Sequence, residues 1–210
     1  MSAPHEVLLP PAPVRREEAL RYAMQPRRAE AAACPQFEHC LSMADGKIAC
    51  RAVWREYPLR VLPDGALDLG FARTDAASLR RHLAGCEGVI LFAATAGLEM
   101  DRLIRRAEAL SPLHGLMMHA IGAAVIEEAC DRLCAGLAEA FPRHALRSRF
   151  SPGYGDLPLA MQRDVFAALD CGRRLGLTLT DALLMVPAKS VTAIIGMEPR
   201  ARDSRVQANP

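Results

Sequence analysis

The sequence is poor in aromatic residues, in net charge and in long apolar runs, and each shortage excludes a class of protein. Aromatic residues make up 5% of the 210 residues and hydrophobic ones 51%, so we expect a core of Leu, Ala, Val, Ile and Met. The formal net charge of +2 gives no reason to expect a nucleic acid or an anionic membrane surface as partner. The longest apolar runs, 89–97 and 115–126, are too short or too interrupted to span a bilayer.

The cysteines show no disulfide framework. There are seven, an odd number without the spacing of a small disulfide scaffold, which is typical of reduced thiols. Residues 1–13 contain prolines in place of the apolar stretch of a secretory signal, so we expect a soluble cytoplasmic protein. One alternative is a zinc site, although its spacing fits no common zinc knuckle; the four ligands would be Cys34, His39, Cys40 and Cys50.

The chain divides into four stretches by composition. Residues 1–13 have four prolines and little to bury, which predicts a disordered N-terminal arm. Residues 14–87 are a segment of uncertain affiliation, with a predicted helix over 17–33 and two strands, 51–62 and 66–71, joined by a Pro-Asp-Gly turn. Residues 88–199 are the predicted core, and 200–210 are a polar C-terminal tail.

The predicted core mixes helices and strands without regular βαβ alternation. It begins with a continuous apolar strand over 88–94, followed by a helix that Pro112 breaks and a long helix over 115–141. A strand over 146–150 and a helix from Pro158 to Gly176 come next. Residues 177–185 and 191–197 are predicted to be a closing strand pair. This order predicts an α+β fold with a largely antiparallel sheet packed with helices.

The long helix has two distinct faces. One is an apolar stripe at helical spacing, made by Met118, Ile121, Val125, Ala129, Leu133 and Leu137. The other carries small residues, Ala120, Ala123, Cys130, Cys134 and Ala138, with Glu127 as its one charge. Small side chains let a backbone or a ligand come close, and a buried carboxylate needs a partner. Glu127 therefore lies at a wet edge, pairs with a structural arginine, or binds a ligand. The two cysteines are more typical of packing than of a redox pair.

Residues 149–154 read Arg-Phe-Ser-Pro-Gly-Tyr and combine three useful groups. Pro152 has a fixed φ and Gly153 can adopt backbone angles that other residues avoid. Arg149 offers a planar fork suited to a carboxylate or phosphate, and Tyr154 offers a ring face with a polar tip. An ordinary surface turn is the simpler interpretation of these residues in isolation.

The residues after Tyr154 favour a binding turn. A helix follows, then Gly-Leu-Thr-Leu-Thr-Asp at 176–181 and Met-Val-Pro-Ala-Lys-Ser-Val-Thr at 185–192. This order resembles the C-terminal activation domain of vitamin B12-dependent methionine synthase, whose pattern is Arg-x-x-Pro-Gly-Tyr, a helix, Gly-x-x-Leu-Thr-Glu and Met-x-Pro-x-x-Ser-Val-Ser/Thr. The resemblance covers about 88–199 and is strongest over 149–192; the first eighty or so residues show no match.

The resemblance implies a site for S-adenosylmethionine. Arg149 would bind its carboxylate, Glu127 would reach its ammonium, and the main chain at Ser151 and Gly153 would bind the adenosine together with Tyr154. The chain departs from the family pattern at Arg143, where an acid is expected. An aspartate from the N-terminal part and tyrosines after the last strand are also missing. No catalytic residue and no metal ligand is implied.

The resemblance also implies a function. The family restores oxidised cob(II)alamin by adding one electron and a methyl group from S-adenosylmethionine. The chain has no cobalamin-binding Asp-x-His-x-x-Gly motif, so we expect a stand-alone module whose partner is a methionine synthase core lacking its own activation domain. That partner would supply the cobalamin, and a reductant protein the electron. Alternatives are an activator of another corrinoid methyltransferase, a non-catalytic interaction protein that kept the fold, and a zinc or thiol sensor.

Overall fold

The computed structural model describes residues 3–23 and 35–200. Its strands are β1 (His5–Leu9), β2 (Cys50–Pro58), β3 (Arg60–Val61), β4 (Leu67–Asp68), β5 (Arg73–Thr74), β6 (Gly88–Thr95), β7 (His144–Leu146), β8 (Thr178–Leu179), β9 (Met185–Val186) and β10 (Ser190–Pro199). Its helices are α1 (Arg16–Tyr22), α2 (Pro35–Ala44), α3 (Ala77–His82), α4 (Gly97–Leu110), α5 (Pro112–Ala140), α6 (Gln162–Leu169) and α7 (Cys171–Leu175). Within these ranges no helix is long and apolar enough to cross a membrane.

Five strands form one sheet in the order β1-β2-β6-β10-β7. Every neighbouring pair is antiparallel, so the predicted fold class is confirmed. In the centre of the sheet Phe92 of β6 lies opposite Trp54 of β2 and Ala193 of β10. The hairpins β3-β4-β5 and β8-β9 form separate small sheets. The sheet therefore has β6 at its middle and the short β7 at one edge.

Strand β6 is buried along its whole length because helices cover both faces of the sheet. Alternate residues of a strand point to opposite faces. Ile90 and Phe92 join a core with α2, α4 and α5, while Val89 and Leu91 join a second core with α3, α6 and α7. Full burial of one such side chain stabilises the fold by about 1.5–3 kcal/mol. The continuous apolar run predicted at 88–94 is thereby explained by a sheet with two covered faces.

Helix α5 begins three residues before its predicted start. Pro112 is the first helical residue, and the Ser111 side chain accepts a hydrogen bond from the His114 amide at 3.2 Å. Proline suits a first helical position because an N–H there would have no partner within the helix, so its absence loses no hydrogen bond. Pro112 therefore starts α5 as well as ending α4. The predicted stripe of α5 is buried, except that Val125 is half-buried.

The prediction of a disordered arm over 1–13 is wrong for residues 5–9. They form β1, which pairs with β2 at the edge of the sheet. The His5 ring stacks on Trp54 with centroids 4.3 Å apart, and Leu9 is 7% exposed. This five-residue edge strand between prolines is stabilised by its pairing with β2 and by Trp54. Neither contact can be predicted from the local sequence of residues 5–9. Strand β2 is also part of the main sheet, so residues within 14–87 share the core of residues 88–199.

The predicted closing pair of 177–185 with 191–197 is also wrong. Strand β10 pairs with β6 and β7, while 178–179 and 185–186 pair only with each other. Residues 192–197 of β10 are all buried, and a strand buried on both faces needs neighbours inside the sheet. The predicted strand over 146–150 is reduced to β7 and a single bridge between Phe150 and Ile194.

Two helices differ from their predicted bounds. The helix expected from Pro158 to Gly176 is divided by Asp170, which has φ +53°, into α6 and α7. Gly176 ends α7 with φ +69°, as its position predicts. Helix α1 covers the first part of the predicted helix over 17–33. The rest of that helix from residue 24 onward, and all but the first residue of the predicted tail 200–210, lie outside the described residues.

Candidate functional site

Glu127 and Arg149 meet at the edge of the sheet. One guanidinium nitrogen of Arg149, Nη2, donates to Glu127 Oε2 at 2.8 Å and to Asp131 Oδ1 at 3.0 Å. Glu127 and Asp131 are four residues apart on α5 and so lie on the same face. Arg149 approaches them from the chain between β7 and the Phe150–Ile194 bridge. The structure thus brings together two residues that are 22 positions apart in the sequence.

The small face of α5 lies against this arginine. Cys130 and Cys134 follow Glu127 at helical spacing of three and seven residues. Burial raises the pKa of Cys130 to about 12, and Arg149 acts in the opposite direction. Burial likewise raises the pKa of Cys134, again against Arg149. Both thiols are therefore neutral at physiological pH. Their small size leaves room for the guanidinium, so the close approach that the small face predicts is made by Arg149.

The Arg149–Glu127 contact is half-buried. The side chain of Arg149 is 25% exposed and that of Glu127 is 32% exposed. Hydrogen bonds between charged groups are shorter and stronger than neutral ones, and partial burial limits screening by salt. Among the interpretations open for Glu127, the structure supports pairing with an arginine. The pair is also accessible, since a third of the Glu127 side chain faces water.

Helix α1 adds groups that the sequence did not suggest. Arg15, just before α1, pairs with Glu128 and lies 3.8 Å from Asp131. Tyr22 packs against the first core. Burial raises the pKa of the Tyr22 hydroxyl, and Glu127 adds to the effect. The i, i+4 spacing with Glu127 could have identified Asp131 from the sequence. No sequence pattern could have identified Arg15 or Tyr22, because both lie far from α5 along the chain.

The Pro-Gly turn uses its own amides internally. Gly153 has φ +92°, and its N–H donates to the Leu157 carbonyl at 2.9 Å. The Tyr154 N–H donates to the Ser151 carbonyl at 3.0 Å. These two donors are therefore not free for a ligand, which removes the Gly153 N–H from the main-chain contacts predicted at Ser151 and Gly153.

The Tyr154 ring lies beside Phe150, whereas Arg149 contacts α5. The centroids of the two rings are 6.0 Å apart, and Phe150 packs against the second core. Arg149 instead faces α5, which covers the first core. Tyr154 is 58% exposed. The predicted site residues thus form two groups, the Glu127–Arg149 pair and the exposed turn with Tyr154, at successive positions along one short segment.

The N-terminal cysteines give no support to a zinc site. Cys34 lies outside the described residues, and Cys40 and Cys50 are buried in the first core. The Cys40 thiol faces the His114 carbonyl at 3.4 Å. Within 3–23 and 35–200 no group of three or more His, Cys, Asp or Glu residues could hold a metal ion. The six cysteines of these ranges form no disulfide with one another.

The fold and the candidate site together define a class, an α+β module with a half-buried charged pair and an exposed aromatic turn on one chain segment. Residues 82–208 match the family model described as the vitamin B12-dependent methionine synthase activation domain. This match covers more than half of the chain, and the protein belongs to that family. The resemblance found in residues 149–192 is confirmed, and the match begins six residues before the predicted core.

A solved structure agrees with this assignment at the level of the fold. The chain is similar to a crystal structure of the MetH reactivation domain bound to AdoHcy, with a TM-score of 0.69 and 16% sequence identity. The similarity covers 95% of this chain and 80% of the other. It therefore extends well beyond residues 82–208, which the family model matches. No curated protein matches the sequence.

Proposed function

We propose that this protein binds S-adenosylmethionine and supports the reductive methylation of cobalamin carried by a methionine synthase that acts in trans. The carrying observation is the half-buried contact between Arg149 and Glu127, at positions where the family pattern suggests ligand groups. Family membership gives the reactivation role, and the related MetH domain was crystallised with AdoHcy. We place the activity in the cytoplasm as part of the same proposal.

The ion pair suits the amino acid end of the ligand. An α-amino acid carries one carboxylate and one ammonium, so its charges can exchange with those of the pair. The carboxylate takes a guanidinium edge of Arg149, and the ammonium takes Glu127. Asp131 keeps Arg149 in place during the exchange, since its contact of 3.0 Å leaves the other guanidinium nitrogens available.

The turn suits the nucleoside end of the ligand. The exposed Tyr154 ring offers a face for adenine, and aromatic rings stack favourably with offset geometry. The Ser151 side chain and the carbonyls of Pro152 and Gly153 offer polar contacts for the sugar and base edge. Arg149 and Tyr154 are five residues apart, so one segment holds both ends of the ligand.

The module contributes position and not proton transfer. Methyl transfer breaks the carbon–sulfur bond, whose electron pair stays on sulfur, and forms a bond from carbon to the partner's reduced cobalt. Such a displacement requires the sulfur, carbon and cobalt atoms to lie in line. The binding energy of the ligand can hold the reactants in that alignment. The partner of the proposal is a methionine synthase core without its own activation domain, and a reductant protein supplies the electron.

Equilibrium binding tests the first half of the proposal. We expect calorimetry with S-adenosylmethionine to show saturable heat, and Arg149→Met to weaken binding at least tenfold, because a charged hydrogen bond is worth about 1.5–3 kcal/mol. Arg147→Met is the matched control, since Arg147 pairs with Glu198 at 3.0 Å and lies two residues away. Absence of heat and of a thermal shift at millimolar ligand would refute ligand binding.

A spectroscopic assay tests the second half. A cobalamin-loaded methionine synthase core, a reductant and S-adenosylmethionine are mixed with and without this protein, and conversion of cob(II)alamin to methylcobalamin is followed. We expect faster conversion only in its presence. Equal rates would remove the activity in trans while leaving the family assignment intact. A faster rate with another corrinoid protein, and not with methionine synthase, would identify a different partner.

One observation favours a second candidate, an interaction module that has lost ligand binding. Arg149 already has two carboxylate partners within the protein, which compete with a ligand carboxylate. In that case the calorimetric experiment gives no heat, and a pull-down with the methionine synthase core still recovers the protein.

A further inference from the structure

The side chain of Asp156 ties the turn that carries Tyr154 to helix α3. Its carboxylate accepts hydrogen bonds from the Ala77 amide at 2.7 Å and the Ser78 amide at 3.0 Å, and it also contacts the Ser78 hydroxyl. These amides open helix α3. The first turn of a helix leaves amides without partners, and an acidic side chain satisfies them well. Asp156 therefore joins the turn to a helix almost 80 positions earlier in the chain.

Helix α3 depends on this distant residue. The residue before its first turn is Ala76, whose side chain makes no capping hydrogen bond. Asp156 supplies the acceptor that a local serine or aspartate usually supplies. The hydrogen bonds from Ser78 lower the pKa of the Asp156 carboxyl from 3.8 to about 2. The contact is thus built for the ionised carboxylate.

Gly155 shows how closely the turn and the helix approach. It has φ +56°, and a Cβ added there would lie 2.5 Å from Ser78 Oγ and 2.8 Å from Ser78 Cβ. Real Cβ atoms do not approach so closely, so any larger residue would push the turn away from α3. Ser78 Oγ also accepts from the Asp156 amide at 3.3 Å. The helix and the turn are consequently fixed against each other.

Both ends of the turn are anchored to the rigid part of the fold. At its start, Phe150 exchanges two backbone hydrogen bonds with Ile194 of β10, at 2.9 and 2.8 Å. At its end, Leu157 is 2% exposed in the second core, which also contains Leu79 of α3. Between these anchors the side chain of Asp156 makes the hydrogen bonds that tie the turn to α3. The Tyr154 ring itself is exposed and contacts the Phe150 ring at the start of the turn.

We propose that Asp156 is a positioning residue, which fixes the turn carrying Tyr154 and so orients Tyr154 relative to Arg149 for the nucleoside end of the ligand. We call the hydrogen bonds of Asp156 to Ala77 and Ser78 the clamp, and the clamp rests on the structure alone. Its effect on ligand affinity rests on the proposed binding of S-adenosylmethionine. Asp156 does not touch the ligand; it acts through the turn.

The experiment compares Asp156→Ala and Asp156→Asn with Asp164→Asn, an exposed acid on α6. Amide hydrogen exchange of the ligand-free protein reports the clamp, and calorimetry reports ligand affinity per folded molecule. We expect Asp156→Ala to speed exchange at least tenfold at residues 77–78 and 153–157, with α5 unchanged. Asp156→Asn, which keeps one acceptor oxygen, should have a smaller effect, and Asp164→Asn none.

For S-adenosylmethionine we expect the dissociation constant to rise about tenfold in Asp156→Ala and less in Asp156→Asn. Unchanged affinity together with faster exchange would overturn the positioning role, and unchanged exchange would overturn the clamp. If the wild-type protein binds no S-adenosylmethionine, the proposed function fails. The mobility of the Tyr154 ring, followed by NMR in the same variants, then decides on its own whether Asp156 orients it: an unchanged ring signal overturns the inference, and a mobile ring supports it.

The carboxyl titration gives a separate check. Because the folded pKa is lowered, the clamp contributes fully above pH 3.8 and is lost as the pH falls toward 2. An NMR titration of Asp156 should therefore give a midpoint near 2 in the wild type, and Ser78→Ala should move it toward 3.8. A midpoint near 3.8 in the wild type would contradict the clamp.

Discussion

The strength of the Arg149–Glu127 contact is the most informative quantity to measure, because it separates a structural arginine from an accessible site residue. We consider Arg149→Met, Glu127→Gln and the double variant. Methionine keeps much of the arginine stem beside Cys130 and Cys134 while removing the charge. Glutamine keeps the volume of Glu127 and one acceptor oxygen.

The expected magnitude follows from exposure. Exposed ion pairs contribute about 0.2–1 kcal/mol and breaking buried ones costs about 3–5 kcal/mol. With side chains 25% and 32% exposed, the contact lies between these limits. We expect Arg149→Met to lower the free energy of unfolding by about 1–1.5 kcal/mol. Glu127→Gln should cost about 0.5 kcal/mol, since Asp131 still holds Arg149 and a neutral acceptor replaces a charged one.

The assay is urea unfolding of the four proteins, analysed as a double-mutant cycle. We expect a coupling energy of about 0.5–1 kcal/mol that decreases as salt is added. Arg147→Met, at an arginine 40% exposed, is the control and should cost under about 0.5 kcal/mol. A loss above about 3 kcal/mol in Arg149→Met would show that the arginine is structural. A coupling energy of zero would show that the pair is not formed in solution.

Two further predictions concern thiols and the N-terminal strand. Because burial raises the pKa of Cys130 to about 12, alkylation at pH 8 should leave it unmodified in the folded protein and modify it in urea, as mass spectrometry can show; rapid labelling of the native protein would contradict its burial. Leu9→Ala should lower the free energy of unfolding by about 2 kcal/mol, because Leu9 is 7% exposed, whereas Leu8→Ala, at a residue 67% exposed, should have little effect; equal stability of both variants would show that β1 does not pack.

Local patterns in the sequence predicted much of the core. The apolar run at 88–94 specified β6 because a strand covered on both faces has no polar positions to interrupt it. Helical periodicity specified α5 and its buried stripe, since only one spacing puts those side chains on the same face. The break of the first helix at Pro112 was predicted, but the role of Pro112 as the first residue of α5 was missed, because proline can both end one helix and start the next.

Sequence patterns selected the residues of the candidate site but not their arrangement. The charge of Glu127 within a small face, and the fork of Arg149 beside a Pro-Gly turn, identified residues that the structure places in contact. The sequence left three interpretations of Glu127 open, because a carboxylate on a helix looks the same whether it meets water, an arginine or a ligand. Asp156 escaped notice because its partners Ala77 and Ser78 lie far away in the chain. Asp131, in contrast, was missed although its i, i+4 spacing with Glu127 was visible.

The sequence by itself determined the central strand β6, the long helix α5 and the family of the chain, because these depend on short-range spacing and on an ordered set of motifs. The tertiary structure alone decided how the strands pair and what surrounds the site. Strand β10 enters the sheet between β6 and β7 because its two buried faces need neighbours. Strand β1 forms because β2 offers an edge, and the Tyr154 turn is held because α3 lacks a cap of its own. Each of these outcomes follows from satisfying backbone groups and apolar surface across long separations in the chain, which local sequence does not encode.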